Sequence, residues 1–172
     1  MIDHPIVRIG LLLRRVNAIE TCKKFQKIVH ILQVMGAPFT ESYDFHHYGP
    51  FSSEFRREIE AFVSEALIVE TPVIVNGLPS YSVCPTEKLL SLLEKDPDLI
   101  EEDWVDWADE LNRKTPRELE GISTLLYLHQ RLWSQDTWRS KFEELKPQLA
   151  AQYDWYESEA LRLLEIAGKK AA

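Results

Sequence analysis

The side chains best suited to holding a metal ion lie close together near residue 45. Asp44 precedes the adjacent histidines His46 and His47, and further metal-ligating residues occur elsewhere at His30, Cys84 and His129. Adjacent residues of a β-strand point to opposite faces of the sheet, so His46 and His47 cannot chelate one ion together. We therefore predict no metal and no cofactor, with one imidazole packed beside the following turn and the other in solvent.

Sequence patterns of common catalytic sites are missing from the chain. It contains no P-loop, no Gly-x-Ser-x-Gly and no Gly-x-Gly-x-x-Gly motif, and its six glycines are scattered singly. Paired carboxylates occur at Glu101-Glu102 and Glu143-Glu144, where the surrounding pattern predicts exposed helix faces. These observations favour a protein that is not an enzyme.

The composition is that of a globular protein. The chain has 172 residues, of which 45% are hydrophobic and 28% charged, enough for one compact domain or two small ones. No early apolar run is long enough to span a membrane, and Asp3, His4 and Arg8 interrupt the N-terminus. We expect a cytoplasmic protein with no membrane partner. The two cysteines, Cys22 and Cys84, are expected to be buried thiols.

The first half of the chain has strong helical periodicity interrupted by β signals. A helix is predicted over about residues 5–15, and a second begins at the capping residue Thr21 and ends near Gly36. A short aromatic strand at 43–48 precedes the Gly49-Pro50 turn.

A third helix is predicted after this turn, over about residues 53–66, followed by a hairpin centred on Asn76-Gly77 and a helix capped by Thr86. This order of elements is typical of a winged-helix module. We therefore predict a mainly α protein with a small β-hairpin, whose winged-helix-like N-terminal module comprises residues 1–95.

The second half, residues 96–172, is predicted to be a helical bundle packed on that module. An apolar stripe is expected along one helix, and the sequence Thr115-Pro-Arg-Glu118 is a capping box that starts another. Pro147 is expected to start the last helix. The stripe comprises Ile100, Trp104, Trp107 and Leu111.

Two motifs in the first half resemble those of the YwgA family of bacterial proteins. The first is Lys23-Lys-Phe-Gln-Lys27, and the second is Tyr48-Gly49-Pro50-Phe51-Ser52 at the end of the aromatic strand. The second element is also distantly similar to Panacea or SocA-like antitoxin domains. The resemblance covers roughly residues 20–85 and implies a winged-helix-like fold and a regulatory role in bacteria or their mobile elements.

Charge distribution favours a protein partner. The net charge is −8, and most of the acid lies in the second half. Binding to DNA depends on neutralising phosphates, which an acidic chain does poorly. We therefore predict a non-catalytic, antitoxin-like or adaptor-like protein that meets a basic protein partner, with homodimerisation as a further expectation. The candidate contact residues are Glu101, Glu102, Asp106 and Asp109.

The alternative is a DNA-binding transcriptional regulator. One face of the second helix carries Lys23, Lys24, Lys27 and His30, the densest basic cluster in the sequence, and this face is expected to be solvated. In the DNA-binding interpretation its lysines contact phosphates. Arg56 and Arg57 of the third helix then lie near the major groove.

Overall fold

The computed structural model describes residues 4–100 and 102–171, and within that part of the chain most residues are helical. The helices are α1 (Pro5–Val16), α2 (Cys22–Val34), α3 (Ser53–Ser64), α4 (Glu87–Glu94), α5 (Trp104–Asn112), α6 (Pro116–Gln130), α7 (Gln135–Leu145) and α8 (Tyr153–Ala171). A 3-10 helix, Pro147–Gln152, precedes α8.

Two small antiparallel sheets interrupt the helices. The larger contains β1 (Ile19–Glu20), β4 (Ile68–Val75) and β5 (Leu78–Pro85) in the order β1-β5-β4, so β4 is an edge strand. The smaller pairs β2 (Asp44–His46) with β3 (Gly49–Phe51). The prediction of a mainly α protein with a small hairpin is confirmed.

Local sequence signals account for most element boundaries. Thr21, Ser52, Thr86 and Thr115 each accept a backbone N–H in the first turn of the following helix, and the capping box at Thr115 is complete. At the β4–β5 turn, Asn76 and Gly77 have φ values of 51° and 76°. Both values are positive, as a two-residue hairpin turn requires.

Helix α2 lies at the centre of the fold. It packs against α5 and α6 from the second half of the chain, and the buried apolar residues of both halves form one cluster. On the far side of α6, Gly121 faces Tyr156 of α8 so closely that an added Cβ would lie 2.5 Å from the ring. The proposed division of the chain at residue 95 stays a prediction.

Three local expectations are wrong. Ile100 is 61% exposed because α5 begins only at Trp104, which leaves Ile100 outside the apolar stripe. Pro147 starts a 3-10 helix, and the α-helix follows from Tyr153. Cys22 and Cys84 are free thiols that are only partly buried, since both lie near sheet or helix edges.

Among the described residues, no helix combines the length and apolar character needed to cross a membrane.

Candidate functional site

The two family-like motifs bind each other in the structure. Gln26 of α2 donates from Nε2 to the Ser52 carbonyl oxygen at 2.9 Å and accepts the Ser52 N–H at Oε1 at 3.0 Å. The next residue of α2, Lys27, donates from Nζ to the Pro50 carbonyl oxygen at 2.7 Å. The first motif therefore supplies the side chains that hold the backbone of the second.

The second half of the chain holds the same segment from the other side. Lys146 is 1% exposed, and its Nζ donates to the His47 carbonyl oxygen at 2.6 Å and to Glu120 Oε1 at 2.5 Å. Arg131 donates to the Tyr43 carbonyl oxygen at 3.0 Å. We call Lys27, Lys146 and Glu120 the basic cluster, because Lys146 pairs with Glu120 and Lys27 interacts electrostatically with both beside the β2–β3 turn.

Gly49 is required at this turn for conformational and steric reasons. Its φ of +91° lies in the region that L side chains rarely adopt. An added Cβ would also lie 3.5 Å from Lys27 Cε and from Thr124 Oγ1. The Tyr48-Gly49-Pro50 sequence therefore fixes a turn that approaches α2 and α6 closely.

An open cleft of about 580 Å³ lies between α2, the β2–β3 turn and α3. Tyr48, which is 50% exposed, and Phe51 supply aromatic walls, and the α3 side is formed by residues that include Ile59, Val63 and Arg56. Such a mixture of aromatic, apolar and few charged side chains is typical of a binding site.

The prediction of one packed and one solvated histidine is wrong, because His46 and His47 are both exposed at this cleft. Both line it, with the His46 ring 4.8 Å from Phe51 and the His47 ring 4.9 Å from Tyr48, centroid to centroid. Within residues 4–100 and 102–171 no group of three or more potential metal ligands is brought together. The histidines therefore add aromatic surface to the cleft.

Burial shifts the titration of two groups in the cleft wall. Desolvation lowers the pKa of Lys27 to about 8, a shift that Glu120 opposes and that Lys146, Lys23 and Cys22 also influence. Desolvation raises the pKa of the Cys22 thiol. A thiol with a raised pKa is a poor nucleophile, because the thiolate is the reactive form.

The expectation of a solvated basic face on α2 is wrong for three of its four residues. Lys24, Lys27 and His30 are 6%, 4% and 0% exposed, because this face packs against α5, α6 and the β2–β3 turn. His30 bonds Ser123 and Gln130, and desolvation lowers its pKa to about 4. Lys23 alone is exposed, with its Nζ 3.5 Å from the centroid of the Tyr48 ring.

The two arginines of α3 remain at the surface. Arg56 pairs with Glu60 at 2.9 Å, and both side chains are 61% exposed. Arg57 is also exposed. Of the five cations assigned to DNA contact, Lys23, Arg56 and Arg57 are therefore accessible.

The predicted acidic contact residues lie away from the cleft, on and near α5. Asp106 and Asp109 both pair with Arg15 of α1, at 2.9 and 2.5 Å. Glu102 is half-buried, and Glu101 lies outside the described residues. Pairing with Arg15 therefore neutralises part of the negative charge that was predicted to contact a basic partner protein.

Sequence reasoning missed the groups that fix the motif from the second half. Lys146, Glu120 and Arg131 are separated from Tyr48 by about the length of a small domain, and none belongs to a recognisable pattern. The one local feature in the sequence near Lys146 is the proline that follows it between two helices, and this feature does not indicate which residues Lys146 contacts. Only the tertiary fold brings these residues to the turn.

Comparison with known proteins agrees with the motif evidence. Over 105 residues the chain is 36% identical to the Bacillus subtilis (strain 168) protein named Uncharacterized protein YwgA. The match covers 61% of this chain and 63% of that protein, less than two thirds of its length. This similarity confirms the predicted resemblance to the YwgA family. Neither a family model nor a solved structure matches the chain significantly.

Proposed function

We propose that this chain is a non-catalytic bacterial regulatory protein that binds a protein partner through the β4–β5 hairpin. The observation that carries the proposal is the hairpin's chemistry. Residues 71–86 contain no charged side chain in a chain whose charged fraction is 28%, yet much of the hairpin is exposed. Exposed, uncharged surface of this kind is typical of protein contacts.

Four exposed apolar residues of the hairpin share one face. Pro72 pairs with Tyr81 and Ile74 with Pro79 across the two strands, so their side chains project to the same side. Ile74 is 71% exposed and Tyr81 is 58% exposed. We call these four residues the hairpin face.

The hairpin face continues toward the cleft. Side chains two residues apart on a strand point the same way, so Glu70, which lines the cleft, lies on the same face as Pro72. A partner that covers the hairpin face can therefore also place a side chain between Tyr48 and Val63. The cleft volume of about 580 Å³ accommodates an aromatic side chain.

The partner contacts side chains rather than extending the sheet. β4 is an edge strand, but Pro72 lies in its middle and lacks a backbone N–H. Proline in a strand is tolerated where its nitrogen faces the open edge, and it removes a donor that an added strand would need. This argument favours an apolar protein surface as the occupant.

The winged-helix assignment is part of the same proposal. The order α2, aromatic turn, α3 and β4–β5 follows that module, with α3 in the recognition position and the hairpin as the wing. The lack of a cation anywhere in the hairpin favours protein over DNA, because wings that contact DNA grip phosphates. An antitoxin-like or adaptor-like role is consistent with this surface.

The experiment is a nuclease-treated pull-down with matched variants. Tagged wild-type protein, Ile74→Ser/Tyr81→Ser and the control Leu132→Ser are incubated with native lysate, since Leu132 is 91% exposed but lies after α6. We expect one protein to be retained by the wild type and the control and lost by the double variant.

Two outcomes would contradict the proposal. Retention of the same partner by the double variant would exclude the hairpin face. Recovery of DNA with loss of all proteins on nuclease treatment would support the DNA-binding alternative through Lys23, Arg56 and Arg57. Sedimentation of each variant shows whether the retained partner is a second copy of this chain.

A further inference from the structure

A second pocket, of about 390 Å³, lies beside the cleft and shares Tyr48, Lys23 and Lys27 with it. Four cationic side chains line this pocket, which we call the cationic pocket: Lys23, Lys24, Lys27 and Arg117. They come from α2 and from the first turn of α6. A concentration of four cations is unexpected in a chain whose net charge is −8.

No carboxylate within the described residues forms a salt bridge with any of these four cations. Lys24 Nζ donates to the Asn112 carbonyl oxygen at 2.5 Å, and Lys27 Nζ donates to that of Pro50 at 2.7 Å. Arg117 donates to the Gln148 carbonyl oxygen at 2.6 Å, and Lys23 lies over the Tyr48 ring. Carbonyl and aromatic partners orient these groups without neutralising their charge.

The acid in the pocket wall is already engaged. Glu120 is the only carboxylate among the described residues that line the pocket, and Lys146 binds its Oε1 at 2.5 Å. Desolvation lowers the pKa of both Lys24 and Lys27, although Glu20 opposes the shift at Lys24 and Glu120 opposes it at Lys27. A bound anion would add further negative charge beside both ammonium groups.

We propose that the cationic pocket binds a small anion of the phosphate class. Arginine and lysine together favour phosphate, since the guanidinium presents a planar fork and the ammonium groups act as point charges. Arg117 lies in the first turn of α6, where the helix dipole adds to the attraction for an anion. This inference does not depend on the hairpin face.

The test is calorimetric titration of the intact chain with inorganic pyrophosphate at about pH 7 and constant ionic strength. We expect saturable binding that Lys23→Gln and Arg117→Gln each weaken by about tenfold, because each change removes a charge-assisted contact. Both side chains are exposed in the unbound protein, so neither change disrupts the core. Arg139→Gln, on exposed α7, is the matched control and should bind like wild type.

A second measurement separates the pocket from loose surface attraction. An anion beside Lys27 should raise its pKa above about 8, against the opposing influence of Lys146 and Lys23, and Glu120 and Cys22 are the other titratable groups that face it. Sulfate carries no proton of its own near this pH, so its binding at about pH 8 should take up protons at Lys27, measured as a dependence of the binding enthalpy on the buffer.

Three results would overturn the proposal. One is no saturable binding of pyrophosphate, and another is equal affinity in wild type, Lys23→Gln and Arg117→Gln. The third is displacement of pyrophosphate by duplex DNA at matched phosphate concentration, which would assign the cations to a nucleic-acid backbone instead of a small ligand.

Discussion

Two clusters of charged residues fix opposite ends of the same segment, residues 41–52, with opposite excess charge. At one end, Arg8 of α1 donates to Glu41 at 3.0 Å while Glu58 of α3 lies 4.0 Å away, so two carboxylates share one guanidinium. We call these three residues the acidic cluster. At the other end, the basic cluster places Lys27 and Lys146 around Glu120.

The sign of the excess charge in each cluster determines which residue has a shifted pKa. In the acidic cluster desolvation and Glu41 raise the pKa of Glu58 to about 7, so Glu58 binds a proton more readily. In the basic cluster desolvation lowers the pKa of Lys27 to about 8, so Lys27 loses a proton more readily. The basic cluster can use backbone carbonyls as acceptors, whereas carboxylates need donors. Among the described residues, Arg8 is the only cation that pairs with both Glu41 and Glu58.

Replacing Arg8 should have the largest effect on stability. Arg8→Met leaves Glu41 and Glu58 without their shared cation, and the Arg8 and Glu41 side chains are only 4% and 2% exposed. Removing one partner of a buried ion pair costs about 3–5 kcal/mol in the free energy of unfolding. Urea denaturation followed by circular dichroism measures this loss.

The matched control is the exposed pair on α3. Arg56→Gln also removes an arginine from a carboxylate, but both side chains there are 61% exposed. It should cost far less stability than Arg8→Met, because solvent screens an exposed pair. Similar losses in the two variants would show that burial is not the cause of the difference.

Removing Lys146 should cost less than removing Arg8. Lys146→Met leaves the His47 carbonyl and Glu120 without a donor, but Lys27 remains near Glu120 and no longer faces a second ammonium group. We expect a loss of about 1–3 kcal/mol. A loss as large as that of Arg8→Met, in the same urea experiment, would mean that Lys27 does not compensate.

The sequence predicted the elements of both regions better than their contacts. Helix starts at Thr21, Ser52 and Thr86 and the hairpin at Asn76-Gly77 follow from local hydrogen bonding and backbone conformation, which neighbouring residues determine. Periodicity predicted the apolar face of α2 for the same reason.

The burial of the polar face of α2 could not be predicted from neighbouring residues. Lysine and histidine at helical spacing are usually solvated, and the sequence gives no sign that Lys27 reaches a carbonyl in the β2–β3 turn. Long-range partners decide burial here. The similarity of the two motifs to one family predicted that Gln26, Lys27 and Tyr48 matter, but not that the first motif binds the second.

The smallest of these effects is a pH dependence centred on Glu58. A carboxyl whose pKa is higher in the folded protein than in the unfolded chain favours folding at low pH, and this contribution is lost as pH rises from about 4.5 to about 7. Glu58→Gln keeps the shape and removes the charge. At about pH 8 the variant should therefore be more stable than wild type by about 1–2 kcal/mol, because a quarter of the Glu58 side chain meets solvent and weakens the full effect.

The measurement is urea denaturation of both proteins at about pH 5 and about pH 8. At the lower pH, Glu58 is protonated in the folded wild type, so the two proteins should differ little. Lys27 gives the opposite trend, since its lowered pKa makes folding more favourable as pH rises from about 8 to about 10.5. A stability difference between wild type and Glu58→Gln that is independent of pH would mean that Arg8 satisfies both carboxylates, and the contrast between the two clusters would then disappear.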